Sequence, residues 1–336
     1  MPAASTADST ATNAATQTMR VALGQFNQPT EDILAFAAQL GVGGVLLNTP
    51  KLPGEQQWEY ADLVALRSRV EEFGLRLEAL ENTPVSFYID AMLGLPNRDE
   101  QIEHYRQTIR NMGKAGIPIL GYHWMPNSVW RTSRTTPGRG GSLVTAFDYE
   151  LAKDKPLTHG RVYAADELWR NYEYFMRAVL PVAEESGVRL ALHPDDPPVE
   201  SLGGVARLFR NFEGFAKAMD LVPSPNSGLD FCMGCWSEMG PGVLDAIKYF
   251  GERGKLFYVH FRDVQGCVPK FQECFLGEGN QNVVAAMVAL KKSGFTGFMI
   301  DDHVPHMIDD TPWGHRGRAA MTGYMQGLLN AVTQLA

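Results

Sequence analysis

Residues 166–194 read DELWRNYEYFMRAVLPVAEESGVRLALHP. Leu168, Tyr172, Phe175, Val179 and Val182 recur at three- and four-residue spacing, which predicts an amphipathic helix over 166–185. Gly187 stands just past its end, where glycine adopts the left-handed cap conformation without steric cost. RLALHP (189–194) follows as a short apolar run of strand length. Helix, glycine stop and strand form one unit, and the unit recurs in both directions along the chain. The runs RVALGQF (20–26), GGVLLN (43–48), LRLEALEN (75–82) and IPILGYHW (117–124) precede it. SGLDFC (227–232), KLFYVHF (255–261) and GFMIDDH (297–303) come after. Gly41, Gly74, Gly116 and Gly294 repeat the placing of Gly187. Eight strand–helix units in succession predict a parallel sheet, and eight is the number that closes a (β/α)8 TIM barrel. An open doubly wound sheet fits less well, because no G-x-G-x-x-G follows the first strand.

The chain has 336 residues, 45% hydrophobic, which suffices for a large core. Barrels of about 250 residues or more form one domain, so a single catalytic domain is expected over 19–336. Residues 1–18, MPAASTADSTATNAATQT, are Ala/Ser/Thr-rich and predict a disordered tail rather than a secretory signal. No apolar run reaches about 18 residues, so no membrane span is expected. A net charge of −8 without a long basic run argues against nucleic acid as a partner. Four scattered cysteines do not make a disulfide scaffold, and the cytoplasm is the expected compartment.

One connection departs from the pattern. Residues 125–165, rich in Arg, Gly, Thr and Pro, separate strand four from its helix. A loop this long lies over the C-terminal end of the barrel and is read as an active-site lid.

Barrel active sites sit where the strands end. Strand five ends in His193, strand six in Cys232, strand seven carries His260, and strand eight ends in Asp302 and His303. Each alone is an ordinary structural residue. Together, four adjacent strands about 5 Å apart deliver His, Cys, His and Asp to one rim, a divalent-metal ligand set. Mixed N, S and O donors accommodate Zn²⁺, Mn²⁺, Fe²⁺ or Co²⁺. A rival zinc site from Cys232, Cys235, Cys267 and Cys274 lacks the second C-x-x-C of a zinc ribbon. A redox dithiol needs C-x-x-C opening a helix, whereas Pro241-Gly242 place the next helix start further on. Cys235 is therefore expected in the loop wall as a bystander.

Around these residues the sequence resembles the mannonate dehydratase family, whose barrel is similar to the xylose isomerase-like barrels. The likeness is carried by LEALENTPV, RDEQIEHYRQTIRNMGKAGIPILGYHWMP, LALHPDDPP, GLDFCMGC, VHFRD and DDH, and runs from about Met19 to about Leu329. The resemblance implies a metal, usually manganese, on His193, Cys232, His260 and Asp302. It implies loss of water from a hexonate such as D-mannonate, giving 2-keto-3-deoxygluconate. It also suggests His303 and Tyr324 as the proton-transfer pair. Arg262 shares a strand face with His260 and is expected to fork onto a substrate carboxylate, or else to pair with Asp195 or Asp263. His123 and Trp124 end strand four and are expected to line the pocket, with Trp130 and Arg131 reaching it from the lid. His123 is also a candidate extra ligand or proton shuttle. Gln272 in FQE replaces a family histidine, and DDHVPH replaces the usual Asp-His-Gly. The alternative activity is a metal-dependent sugar isomerase or epimerase on the same barrel type; a non-catalytic sugar-binding barrel is the third reading. The expected partner is a small sugar acid, with homo-oligomers common among such barrels.

Overall fold

The computed structural model describes residues 18–335. The predicted tail lies outside these residues apart from Thr18. Eight parallel strands form the barrel. They are β1 (Arg20–Val21, continued by Leu23–Phe26), β2 (Gly44–Asn48), β3 (Arg76–Glu81), β4 (Ile119–Tyr122), β5 (Arg189–Leu192), β6 (Ser227–Cys232), β7 (Leu256–His260) and β8 (Phe298–Ile300). Each pairs with its neighbour in sequence, and β1 closes the ring onto β8 through Arg20 opposite Phe298. Gly24 makes this seam possible, because a Cβ there would sit 2.6 Å from Cδ1 of Ile300. The helix predicted from the first segment spans Ala165–Ser186 and buries all five predicted stripe residues. Gly41, Gly74, Gly116, Gly187 and Gly294 all have positive φ just past a helix, as expected of caps.

Two apolar layers hold the fold. Helices pack against the outer face of the barrel, with Tyr172, Phe175 and Leu190 in that layer. The interior is filled by Ala22, Leu46, Ala79, Ile119, Ala191, Phe257, Tyr258, Phe298 and Ile300. Burying each large apolar side chain contributes about 1.5–3 kcal/mol, so the barrel is a packed core and not a pore. Among the described residues, no helix is long and apolar enough to cross a membrane.

The connection after β4 is ordered into β-structure. Its strands Ser133–Pro137 and Leu143–Asp148 join a hairpin, Val264–Cys267 with Lys270–Glu273, contributed by the connection after β7. The resulting four-stranded antiparallel sheet stands at the C-terminal mouth. Phe147, Val199, Leu202, Val264 and Phe271 form a small core beneath it.

Candidate active site

Side chains on a strand alternate between faces. On β6 this sends Asp230 and Cys232 inward together, and on β7 Tyr258 and His260. The turn after β5 brings His193 beside them, its ring centroid 5.3 Å from that of His260. Asp302 completes the cluster, with Oδ2 3.8 Å from Cys232 Sγ and 3.7 Å from His260 Nδ1. Donor atoms of Cys232, His260 and Asp302 lie within 4.8 Å of one another, and His193 shares such groups with Cys232 and with His260. The four residues expected from the strand ends therefore converge.

Each imidazole has one nitrogen committed elsewhere. His193 Nδ1 lies 2.7 Å from the Pro194 carbonyl, which fixes that nitrogen as the donor. His260 Nε2 lies 2.8 Å from Glu81 Oε2, and the buried Nδ1 has no hydrogen-bond partner. Glu81 is itself held by Asn48 and Gln25 on Oε1 and by the Tyr258 hydroxyl on Oε2. A carboxylate behind a ligating histidine, with the other ring nitrogen orphaned toward sulfur and carboxylate donors, fits a borderline divalent ion. Burial alone would raise the Cys232 thiol, but Cys235 and Arg262 hold it well below the ordinary thiol range. Burial opposes charge on His193, yet Asp230 and Cys232 beside it push it up to about 10. Asp230 is fully buried with neither carboxyl oxygen hydrogen-bonded, and desolvation pushes it well above the carboxylate range.

Arg262 occupies a different role from the one its strand position suggested. Its Nη1 lies 2.9 Å from Asp302 Oδ2 and 3.3 Å from Cys232 Sγ, its Nε 3.0 Å from Glu273 Oε2, and its Nη2 pairs with Glu238. With its donors taken by these groups and 1% of its surface exposed, it neutralises the Asp302 carboxylate and is not free to hold a substrate. Neither Asp195 nor Asp263 is its partner; Asp195 faces Arg207. Gly234 between the two cysteines leaves room for it, since a Cβ there would lie 2.4 Å from Arg262 Cγ.

Cys235 does not lie in a loop wall. Met233–Glu238 is a short helix that Cys232 caps, and the Cys235 sulfur lies within 4.8 Å of the donor atoms of Cys232 and His193. The all-cysteine zinc arrangement is absent among the described residues: Cys267 is exposed, and the Cys274 thiol points to the Asp263 carbonyl.

A cavity of about 470 Å³ opens beside the cluster, walled by Arg131, Glu273, Asp302, His303, His306 and Trp313. His303 Nδ1 is 2.9 Å from Glu273 Oε1. The same Nδ1 lies 3.2 Å from Arg131 Nη2, and Nε2 is 3.6 Å from Asp302 Oδ1. Arg131 reaches the cavity as expected, but Asp196 and Glu273 take its guanidinium. Arg134, on the lid strand, also lines the cavity and has no ion-pair partner among the described residues.

Three further expectations are corrected. Tyr324 lies on the outer stripe of the helix His315–Leu335, whose buried residues include Met321, Thr322 and Met325. It is 43% exposed and does not line the cavity. Trp124 follows inward-facing His123 and so points outward, into the helix layer against Tyr172 and Phe175. Trp130 packs on the small core under the lid and donates its indole N–H to Asn127. His123 is buried, its Nδ1 accepting from the Met125 amide; burial, with His193 and Arg207 nearby, pushes it down to about 3. Glu81, Asp230, Glu273, Arg134 and His306 were not anticipated. Glu81 was findable, being the last residue of β3 as Cys232 is of β6.

The profile of D-mannonate dehydratase (UxuA) matches residues 19–161 and 157–336. Mannonate dehydratase 2 of Halalkalibacterium halodurans is 30% identical over 94% of this chain and 100% of that protein. The crystal structure of mannonate dehydratase from Streptococcus suis serotype 2 superposes with a TM-score of 0.86 at 30% identity, covering 95% of this chain and 94% of that one. An L-ribulose 3-epimerase structure, at 15% identity and a TM-score of 0.61 over 94% of this chain and 96% of its own, shares the fold alone.

Proposed function

Because the chain belongs to the D-mannonate dehydratase family and is a hydro-lyase, we propose that it converts D-mannonate, or a closely related hexonate, to the 2-keto-3-deoxy acid. The observation that carries this reading is the convergence of His193, Cys232, His260 and Asp302 under a cavity whose wall holds a histidine backed by a carboxylate. The four residues would hold a divalent ion, Mn²⁺ first, with Fe²⁺, Co²⁺ or Zn²⁺ also accommodated by the donors. When bound, such an ion would polarise the substrate carboxylate and 2-hydroxyl and so acidify the neighbouring C–H.

The chain's own residues supply the rest. His303 Nε2 takes the proton from the carbon beside the carboxylate, and Glu273 on Nδ1 stabilises the imidazolium that forms. His306, on the same cavity wall, takes the place of Tyr324 in the proton-transfer pair and protonates the departing 3-hydroxyl. Arg134 offers an unengaged guanidinium to the substrate carboxylate.

The test is a screen of hexonates with added Mn²⁺, aerobically and anaerobically, reading 2-keto acid. D-Mannonate is expected to give the strongest signal. No keto acid from any hexonate under either condition overturns the hydro-lyase reaction, and a sugar product of unchanged formula would move the reading to an isomerase or epimerase.

A further inference from the structure

The end of the barrel opposite this site has a cavity of its own, about 540 Å³, at the N-terminal ends of the strands. Such volumes suit small metabolites. Its wall carries Arg20, Arg67, Arg76 and Arg189 but only two carboxylates, Glu71 and Glu78. Both carboxylates are already shared out. Glu78 accepts from Arg20 Nε at 2.8 Å and pairs with Arg76 at 3.1 Å, and Glu71 pairs with Arg67 at 3.2 Å. Arg189 is left over. It opens β5 with its guanidinium stacked on Phe257, 4.8 Å from the ring centroid, and makes no side-chain hydrogen bond or ion pair among the described residues. Burial, with Arg20 beside it, depresses its proton affinity, and the neighbouring charge of Glu78 offsets this only in part.

A chain of net charge −8 that concentrates two surplus guanidinium charges in a concave site has the makings of an anion receptor. Arginine forks match the oxygens of a phosphate group better than a point charge would. The small volume excludes a nucleic-acid duplex, and a surplus of two fits a doubly charged oxyanion better than a singly charged sugar acid. We propose that the N-terminal mouth of the barrel binds phosphate or a phosphate monoester, with Arg189 as its anchor and Arg76, whose guanidinium is engaged through Nη2 alone, as the flanking donor. This site is independent of the dehydratase site.

The experiment titrates the full-length protein with inorganic phosphate and with pyrophosphate at constant ionic strength, by calorimetry and thermal shift. Saturable binding is expected in the wild type and in Asp302→Asn, which rules out capture at the metal cluster. Arg189→Gln should weaken phosphate at least tenfold while leaving phosphate-free turnover of D-mannonate unchanged. Arg189→Met should raise the midpoint of thermal unfolding without phosphate, because an unpaired cation is removed. If Arg189→Gln does not fold, Arg76→Gln, whose side chain is 63% exposed, takes its place, with a several-fold loss expected. Equal phosphate affinity in wild type and variants, or a response that chloride reproduces, would overturn the proposal. Stronger pyrophosphate than phosphate binding would support a ligand with two phosphate groups; equal binding would support a single phosphate head.

Discussion

At the C-terminal mouth of the barrel, Asp196, Glu238, Glu273 and Asp302, with the Cys232 sulfur, surround two arginines, Arg131 and Arg262. At the N-terminal mouth, four arginines face two glutamates. The same strands supply both ends. On β5, Arg189, Ala191 and His193 follow one another on the inward face, so a surplus cation and a metal-type ligand stand about 13 Å apart on one strand. Between them lies an apolar plug, Ala191 with Tyr258, Phe298 and Ile300. The contrast teaches that charge at each mouth is chosen locally. A negative surplus suits a cation that does chemistry, and a positive surplus suits an anion that is merely held.

The comparison breaks most sharply at the proposed metal cluster. Cys232→Ser or Asp302→Asn should remove bound metal from protein purified with Mn²⁺, measured by elemental analysis, and lower kcat/KM by about 10³-fold or more. Retention of stoichiometric metal in both variants would show that the ion is held elsewhere. Next in size is Glu81→Gln. It keeps a hydrogen-bond acceptor for His260 but loses the charge, and metal affinity by competition with a chelator should fall about 10–100-fold. An unchanged affinity would reduce Glu81 to a structural residue.

A smaller effect separates the mouths by pH dependence: arginines do not titrate in the working range, whereas His123 does so in the unfolded chain. Its folded-state value is about 3 and its ordinary value 6.5, so below 6.5 the unfolded chain binds the proton and the folded chain does not. His123 therefore contributes stability that is full above pH 6.5 and is lost as pH falls toward 3. Urea unfolding at pH 7 and pH 5 should show the wild type losing about 2 kcal/mol more than His123→Asn. Equal losses would mean that His123 is protonated in the folded protein. The smallest expectation is Tyr324→Phe, which should leave kcat within about twofold, because the exposed outer stripe of the last helix is remote from proton transfer. A loss of a hundredfold would restore Tyr324 to the catalytic pair.

What the sequence made legible follows from periodicity. The stripe Leu168–Val182, the stop at Gly187 and the residues at or just past the ends of β5 to β8 are local patterns, and local patterns set both the barrel and the four-residue cluster. Trp124 and Tyr324 were misplaced where periodicity was available but not applied: adjacent residues on a strand face opposite ways, and buried Met321 and Met325 turn Tyr324 outward. Arg262 failed for another reason. Its partners Asp196, Glu238 and Glu273 come from three separate segments, and no spacing announces which carboxylates will meet a guanidinium. The lid hairpin was hidden likewise, because Lys270–Gln272 pairs with Ala146–Asp148 more than a hundred residues away.

That hairpin also ties the history of two loops together. The lid is woven from the connections after β4 and β7, with the pair Lys270 opposite Asp148 joining one contribution to the other. Neither half can be exchanged alone without stranding a hydrogen-bonding edge that invites aggregation. Transplants between relatives should therefore succeed only when both loops travel as a set, and substrate preference written into the lid is inherited as a linked pair.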